Sequence, residues 1–171
     1  MNHTLAKQLL AMERADQAMR RAAVSGVAVW DAALDQAHTS TLKRVIKKHG
    51  WPSISLVGER AAHAAWLLAQ HADHDPKFQR MVLRLMHDMG QVMSDEVLWN
   101  DIAYLTDRIL VHHDRCAQWF GTQHYFTAKG KLIPFPIQDK RNVNRRRLAF
   151  GLETQAQNTR RLNAEWKRLR K

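Results

Sequence analysis

The chain has 171 residues, 45% hydrophobic and 25% charged, with one cysteine and a formal charge of +11. That length suffices for a core without disulfides or structural metal, so the expectation is one domain, 1–171. The lone Cys116 excludes an internal disulfide framework, and the polar start and lack of a long apolar run speak against a secretory signal or a membrane span, so the expected setting is cytoplasmic, without a membrane partner.

Leu5, Leu9, Met12 and Met19 fall at helical spacing and predict a first helix from Thr4 to about Ala23, ended or bent by Gly26. Asp16 and Arg20 lie one turn apart on it and can pair. A second helix is expected from about Val29 to Lys48, with His49-Gly50 as its stop and Pro52 beyond. Ser53 or Ser55 then caps a central, alanine-rich helix that has almost no charge to offer solvent, so His63, Trp66, Leu67, His71 and Ala72 should be mostly buried. Its polar exceptions are Glu59, His63, Gln70, His71 and Asp73. Buried polar groups need partners, so these residues mark either a satisfied network or a functional pocket.

In Asp75-Pro76, the aspartate is the expected N-cap of a helix reaching about Val92, with Phe78, Val82, Leu85 and Met86 as its apolar stripe. Ser94 begins another, from Asp95 to about His113. Leu98, Trp99, Ile102, Leu105 and Ile109 share one face of it, and Asn100, Asp101, Tyr104, Asp107 and Arg108 the other. Gln118–Phe126 and Lys131–Ile137, joined by Thr127-Ala128-Lys129-Gly130, read as a β-hairpin whose second arm is made irregular by Pro134 and Pro136. Helices over about Val143–Phe150 and Glu153–Arg168 complete a mainly α, single-domain helical bundle with a small β-hairpin near residues 118–137. The segment 140–171 packs on that bundle or extends from it. It holds eleven basic and two acidic residues, a balance of +9, which leaves +2 for the remainder.

His49-Gly50-Trp51-Pro52, Ser55-Leu56-Val57-Gly58, Ala64-Ala65-Trp66-Leu67-Leu68 and Gln70-His71-Ala72-Asp73, followed by Tyr104-Leu105-Thr106-Asp107-Arg108 and Gln118-Trp119-Phe120-Gly121-Thr122-Gln123, resemble segments of an uncharacterised bacterial family, domain of unknown function 6624. The resemblance covers roughly residues 10 to 155. It implies a small, mainly helical domain with a short hairpin and brings no established reaction. His112-His113-Asp114-Arg115 and the basic tail beyond Glu153 depart from the family pattern.

Two constellations carry candidate chemistry. In His71-Ala72-Asp73-His74-Asp75, His71 is the candidate acid-base group and Asp73 its orienting partner or a substrate contact. His63, His71 and His74 are conceivable metal ligands, but Pro76 breaks the helix and Asp75 has a capping role, so capping and core hydrogen bonding is the favoured account and no metal or cofactor is assigned. Tyr104, Asp107 and Arg108 share a helix face at i, i+3 and i+4. Arg108 there is either an anion anchor or half of a buried ion pair, with Gln123 as a hydrogen-bonding specificity element. The expected function is a small polar or anionic ligand site, open as to catalysis, between the central helix and the Tyr104 helix. The alternative is a nucleic-acid or acidic-partner binding protein acting through Arg145, Arg146, Arg160, Arg161, Lys167 and Arg168.

Overall fold

The computed structural model describes residues 1–169; the side chain of Leu169 also lies outside the described residues, as do Arg170 and Lys171. Among the described residues, eight α-helices and one two-stranded antiparallel sheet make the protein mainly α with a β-hairpin. Its internal contacts group into two compact units, Met1–Leu98 and Trp99–Lys171.

The first unit is helical: α1 (His3–Val24), α2 (Ala32–His49), α3 (Ile54–Val57), α4 (Glu59–Gln70) and α5 (Pro76–Val92). α4 is its centre, packing on the other four helices and most extensively on α1. Ala61, Ala62, Ala64, Ala65 and Ala69 are all buried, and a helix faced with methyl groups lets its neighbours approach closely. Trp66 and Ala72 are buried as expected, whereas His63, Leu67 and His71 are half-buried.

The caps follow the sequence where a side chain can reach a free N–H. Asp31 accepts from the backbone N–H groups of Ala33 and Leu34, and Asp75 accepts from that of Phe78 at 3.0 Å, with Pro76 in the first turn. Gly50 ends α2 at φ 75°. The expected cap of the central helix differs. Ser53 caps the short α3, and α4 starts anew after Gly58, whose φ of 83° with ψ of 152° is a conformation that glycine alone adopts without strain. The helix expected from Asp95 starts only at Trp99, because the preceding turn is occupied elsewhere. The Glu96 carbonyl accepts from the Ile54 N–H and its carboxylate from the Ser55 N–H, supplying α3 with partners that a helical Glu96 would withhold.

The second unit comprises α6 (Trp99–His112), β1 (His124–Phe126), β2 (Leu132–Pro134), a 3-10 turn at Lys140–Asn142, α7 (Val143–Ala149) and α8 (Gln155–Leu169). The hairpin ladder is shorter than its sequence signal: His124 pairs with Pro134, Tyr125 with Ile133 and Phe126 with Leu132. Residues 118–123, expected in the first arm, are instead wrapped around Asp107. That carboxylate is fully buried and accepts from the backbone N–H groups of Trp119, Phe120 and Thr122 and from the Thr122 hydroxyl, all within 3.2 Å. The buried Gln118 amide closes the other side, donating to the carbonyls of Gln123 and Phe135 and accepting from the Gln123 N–H. Backbone donors recruited by side chains are unavailable to a strand partner, which is why the ladder begins only at His124.

Asp107→Ala strands three inward-facing backbone N–H groups, each costing about 1–3 kcal/mol when left without a partner. The expected result is a large fall in thermal midpoint together with loss of amide protection in residues 119–122 by hydrogen exchange; retained protection there would show that the turn does not depend on Asp107.

Candidate functional site

The histidine singled out in the sequence sits at the C-terminal end of α4, where the backbone leaves the helix at φ −90°, ψ 0°. Its Nδ1 lies 2.9 Å from Oδ2 and 3.1 Å from Oδ1 of Asp16, a carboxylate of α1 that is only 1% exposed. Asp16 is further bound by the Gln17 amide at 2.9 Å and by Arg20 Nε at 2.9 Å, and Arg20 reaches on through Nη2 to Asp35 of α2 at 2.7 Å. The Arg20 guanidinium also lies over the Trp30 ring, 4.5 Å from its centroid. The result is a chain of alternating charge, His71–Asp16–Arg20–Asp35, that ties three helices together while His71 keeps 17% of its side chain exposed.

Burial by itself pushes the Asp16 carboxyl upward, but the hydrogen bond and charge of His71, followed by those of Arg20, outweigh it and hold the group below the usual carboxylate range. Asp16 is therefore an ionised acceptor, so a neutral His71 carries its proton on Nδ1 and presents the lone pair on Nε2. Beside the chain lies His38, 8% exposed, with a buried Nδ1 that has no hydrogen-bond partner. Burial pulls its pKa down, against the pull of Asp16 and Asp35 in the other direction. Glu13, one turn before Asp16 and also buried, has its Oε2 2.7 Å from Nη2 of Arg60.

The orienting partner of His71 is thus Asp16 and not Asp73, whose place is a correction to the sequence reading. Asp73 is exposed and accepts from the Gln79 amide at 3.3 Å, because Gln79 is fully buried and uses its N–H groups to close the C-terminus of α4 on the carbonyls of Ala69 and Gln70. Of the three conceivable metal ligands, His63 is stacked on Trp66 with centroids 4.8 Å apart, His74 is exposed and His71 faces Asp16. No group of three or more His, Cys, Asp or Glu in a metal-holding arrangement occurs among the described residues.

In the second unit Tyr104 is half-buried beside a small apolar cluster of Ala103, Phe120 and Leu152. Asp107, expected on the polar face of its helix, belongs to the interior and organises the turn rather than pairing with Arg108. Burial pushes its carboxyl up, opposed by its four donors. Arg108 Nη1 donates to Gln123 Oε1 at 3.4 Å, so the structure does bring those two together. The tail cations divide sharply. Arg146 is committed to the carbonyls of Trp119, Gln138 and Asp139 and to the Asp139 carboxylate, and lies over the Trp119 ring at 4.2 Å. Arg161 is held by Glu153 and Glu165, which keep its guanidinium above the usual range. Arg145, Arg160, Lys167 and Arg168 are exposed and have no ion pair among the described residues.

Arg147, which follows Arg145 and Arg146 in the sequence, is fully buried. Its Nε donates to the Glu153 carbonyl at 2.6 Å, and Nη1 to the Phe120 carbonyl and to Gln155 Oε1. Desolvation lowers its pKa. Gly121, at φ 73°, lies against this network: a Cβ there would stand 2.4 Å from Gln155 Oε1 and 2.8 Å from Ile137 Cδ1.

The residues that complete the His71 site, Asp16, Arg20 and His38, were not identified as such from sequence. A signal was present in α1: Glu13 continues the i+4 series of Leu5 and Leu9, and Asp16 stands two turns beyond Leu9, so carboxylates occupy core positions of an apolar stripe. Nothing comparable marks His38, which becomes visible only once α2 is packed.

The chain belongs to the DUF6624 family, a family of unknown function, whose pattern matches residues 3–168. No curated protein and no solved structure is significantly similar to it.

The cluster contributes to the response to acid, alongside His124, whose pKa burial also lowers. His38 has a folded pKa below the ordinary 6.5, so below that pH the unfolded chain takes up a proton that the native state does not, and the stability present above about pH 6.5 is lost as pH falls. Asp16, lowered from 3.8, contributes stability above that value that is lost as pH falls through its lowered pKa. Urea midpoints are expected to fall from about pH 6.5 downward, and again below about pH 4, with the first fall reduced in His38→Gln. A midpoint flat between about pH 7.5 and 5 would contradict a buried neutral His38.

Proposed function

We propose that this member of the family binds a small neutral polar ligand at His71, with His71 Nε2 taking or returning a proton and Asp16 fixing the ring. The observation that carries the reading is the buried Asp16 carboxylate on His71 Nδ1, since a carboxylate in that position sets the tautomer and orientation of a general base.

The charge of the cluster selects the ligand class. Asp16 and Asp35 against Arg20 leave one negative charge, which disfavours a carboxylate or phosphate and favours a neutral group bearing O–H or N–H. A proton arriving on His71 brings the cluster to neutrality. Arg20 is consumed by its two carboxylates and serves as a positioning residue, not as an anion anchor. Arg108 makes a long hydrogen bond to Gln123, 3.4 Å, and is given no role in this reading.

The test is a thermal-shift screen of neutral polar compounds (sugars, nucleosides, amides) against wild type, His71→Ala and Asp16→Asn. A ligand at a hundred times its Kd stabilises by about 2.7 kcal/mol. Because Asp16 retains Arg20 and Gln17, His71→Ala should cost about 1–3 kcal/mol of stability, less than the roughly 3–5 kcal/mol of a buried charge left alone. The expected outcome is a wild-type hit lost in both variants, with the neutral His71 protonated on Nδ1 by nitrogen-proton NMR. A hit retained by His71→Ala, or a wild-type ring protonated on Nε2, would overturn the assignment.

A further inference from the structure

We propose that the groove between the hairpin tip and α8, within the Trp99–Lys171 unit, is a binding site for single-stranded nucleic acid. It encloses ≈ 610 Å³ and is lined by Lys129 and Lys131 from the hairpin, Arg160 and Lys167 from α8, and Trp166. All four cations are exposed, and none has an ion pair among the described residues. The acidic groups of α8 and its approach, Glu153 and Glu165, both pair with Arg161; the three leave one negative charge, which the four groove cations outnumber.

The walls are fixed in advance. Asn163 accepts from the Leu132 N–H and donates to the Leu132 carbonyl, binding β2 to α8, and Phe126 lies on Trp166 with centroids 4.6 Å apart. Phe126 joins the groove through Trp166, which lines it, and remains 47% exposed, which leaves aromatic surface at its edge. Positive charge that tracks a backbone, next to a ring on which a base can stack, is the combination single strands require. Along α8, Arg160 and Lys167 are separated by about 10 Å, the length of about three nucleotides of a stacked strand at about 3.4 Å each. A duplex gains nothing from the ring, since its bases are already stacked, and an anionic membrane would need a wider apolar face than Phe126 and Trp166 supply. The groove keeps Arg160 and Lys167 of the tail cations; the two hairpin lysines enter, and Arg145, Arg146, Arg161 and Arg168 are not in its lining.

The experiment is fluorescence anisotropy of labelled oligouridine and oligothymidine twelve-mers with the full chain. Four phosphate contacts give a salt slope of about −2.8, so raising salt from about 50 to about 200 mM should weaken binding about 50-fold. Lys129→Gln, Lys131→Gln, Arg160→Gln and Lys167→Gln combined should flatten that slope and weaken low-salt binding at least about tenfold. A charge-matched control, Lys7→Gln, Lys47→Gln, Lys77→Gln and Arg84→Gln, should bind like wild type. Phe126→Leu should weaken binding severalfold with the slope unchanged. If the combined variant melts early, Lys129→Gln and Lys167→Gln singly should each reduce the slope by about 0.7. The proposal is overturned by absence of binding at low salt, by an equal loss in the control, or by displacement of the probe by duplex or phosphatidylserine vesicles as readily as by unlabelled single strand.

Discussion

Asp16 removes a carboxylate from water in the middle of α1, and the first unit is organised by the need to compensate it. An isolated buried charge costs several kcal/mol, more than one hydrogen bond returns. Three side chains therefore converge on it, from α1 itself and from the end of α4, and Arg20 carries the charge balance outward to Asp35 on α2. The close packing allowed by the α4 alanines and the convergence on Asp16 are the same constraint seen from two sides. Helices that approach closely shed water from whatever lies between them, and a carboxylate left there must then be matched.

The second unit meets a similar problem with backbone instead of countercharge. Asp107 gathers three N–H groups, the Gln118 amide bridges two segments, and Arg147 collects carbonyls. Here the polar side chains substitute for secondary structure: between the isolated bridge of Gln118 with Ile137 and the Gln123 carbonyl that accepts from Phe135, residues 119–122 owe their course to the atoms of Asp107 and Gln118. Such a turn is specified by a few hydrogen bonds in a small volume, where each is worth more than it would be at the surface.

Much of this architecture was legible in the sequence because the signals were local. Proline after Asp75, glycine after His49 and the stripe of Phe78 and Val82 act within a turn or two, and the caps and helices they predict are present. Errors came where a distant segment decided. The sequence around Asp95 looks helical until Glu96 is needed by α3, and the arm from Gln118 looks extended until Asp107 claims its N–H groups. The same division holds for the candidate site. His71 stood out as a polar residue on an apolar helix, but its partner is 55 residues away, and the nearer Asp73 was the natural choice for a reading limited to short spacing.

Gly121 draws an unusual consequence from this construction. A methyl group added there would collide first with Gln155 Oε1, and that oxygen is one of the acceptors holding the buried Arg147 guanidinium. Its Nη2 already has no partner, so displacing Gln155 would remove an acceptor from a cation that water cannot reach. Position 121 is therefore constrained twice, by a left-handed backbone that strains any side chain and by the solvation of a different residue: the steric part of the lesion is passed on, one hydrogen bond away, as an electrostatic one.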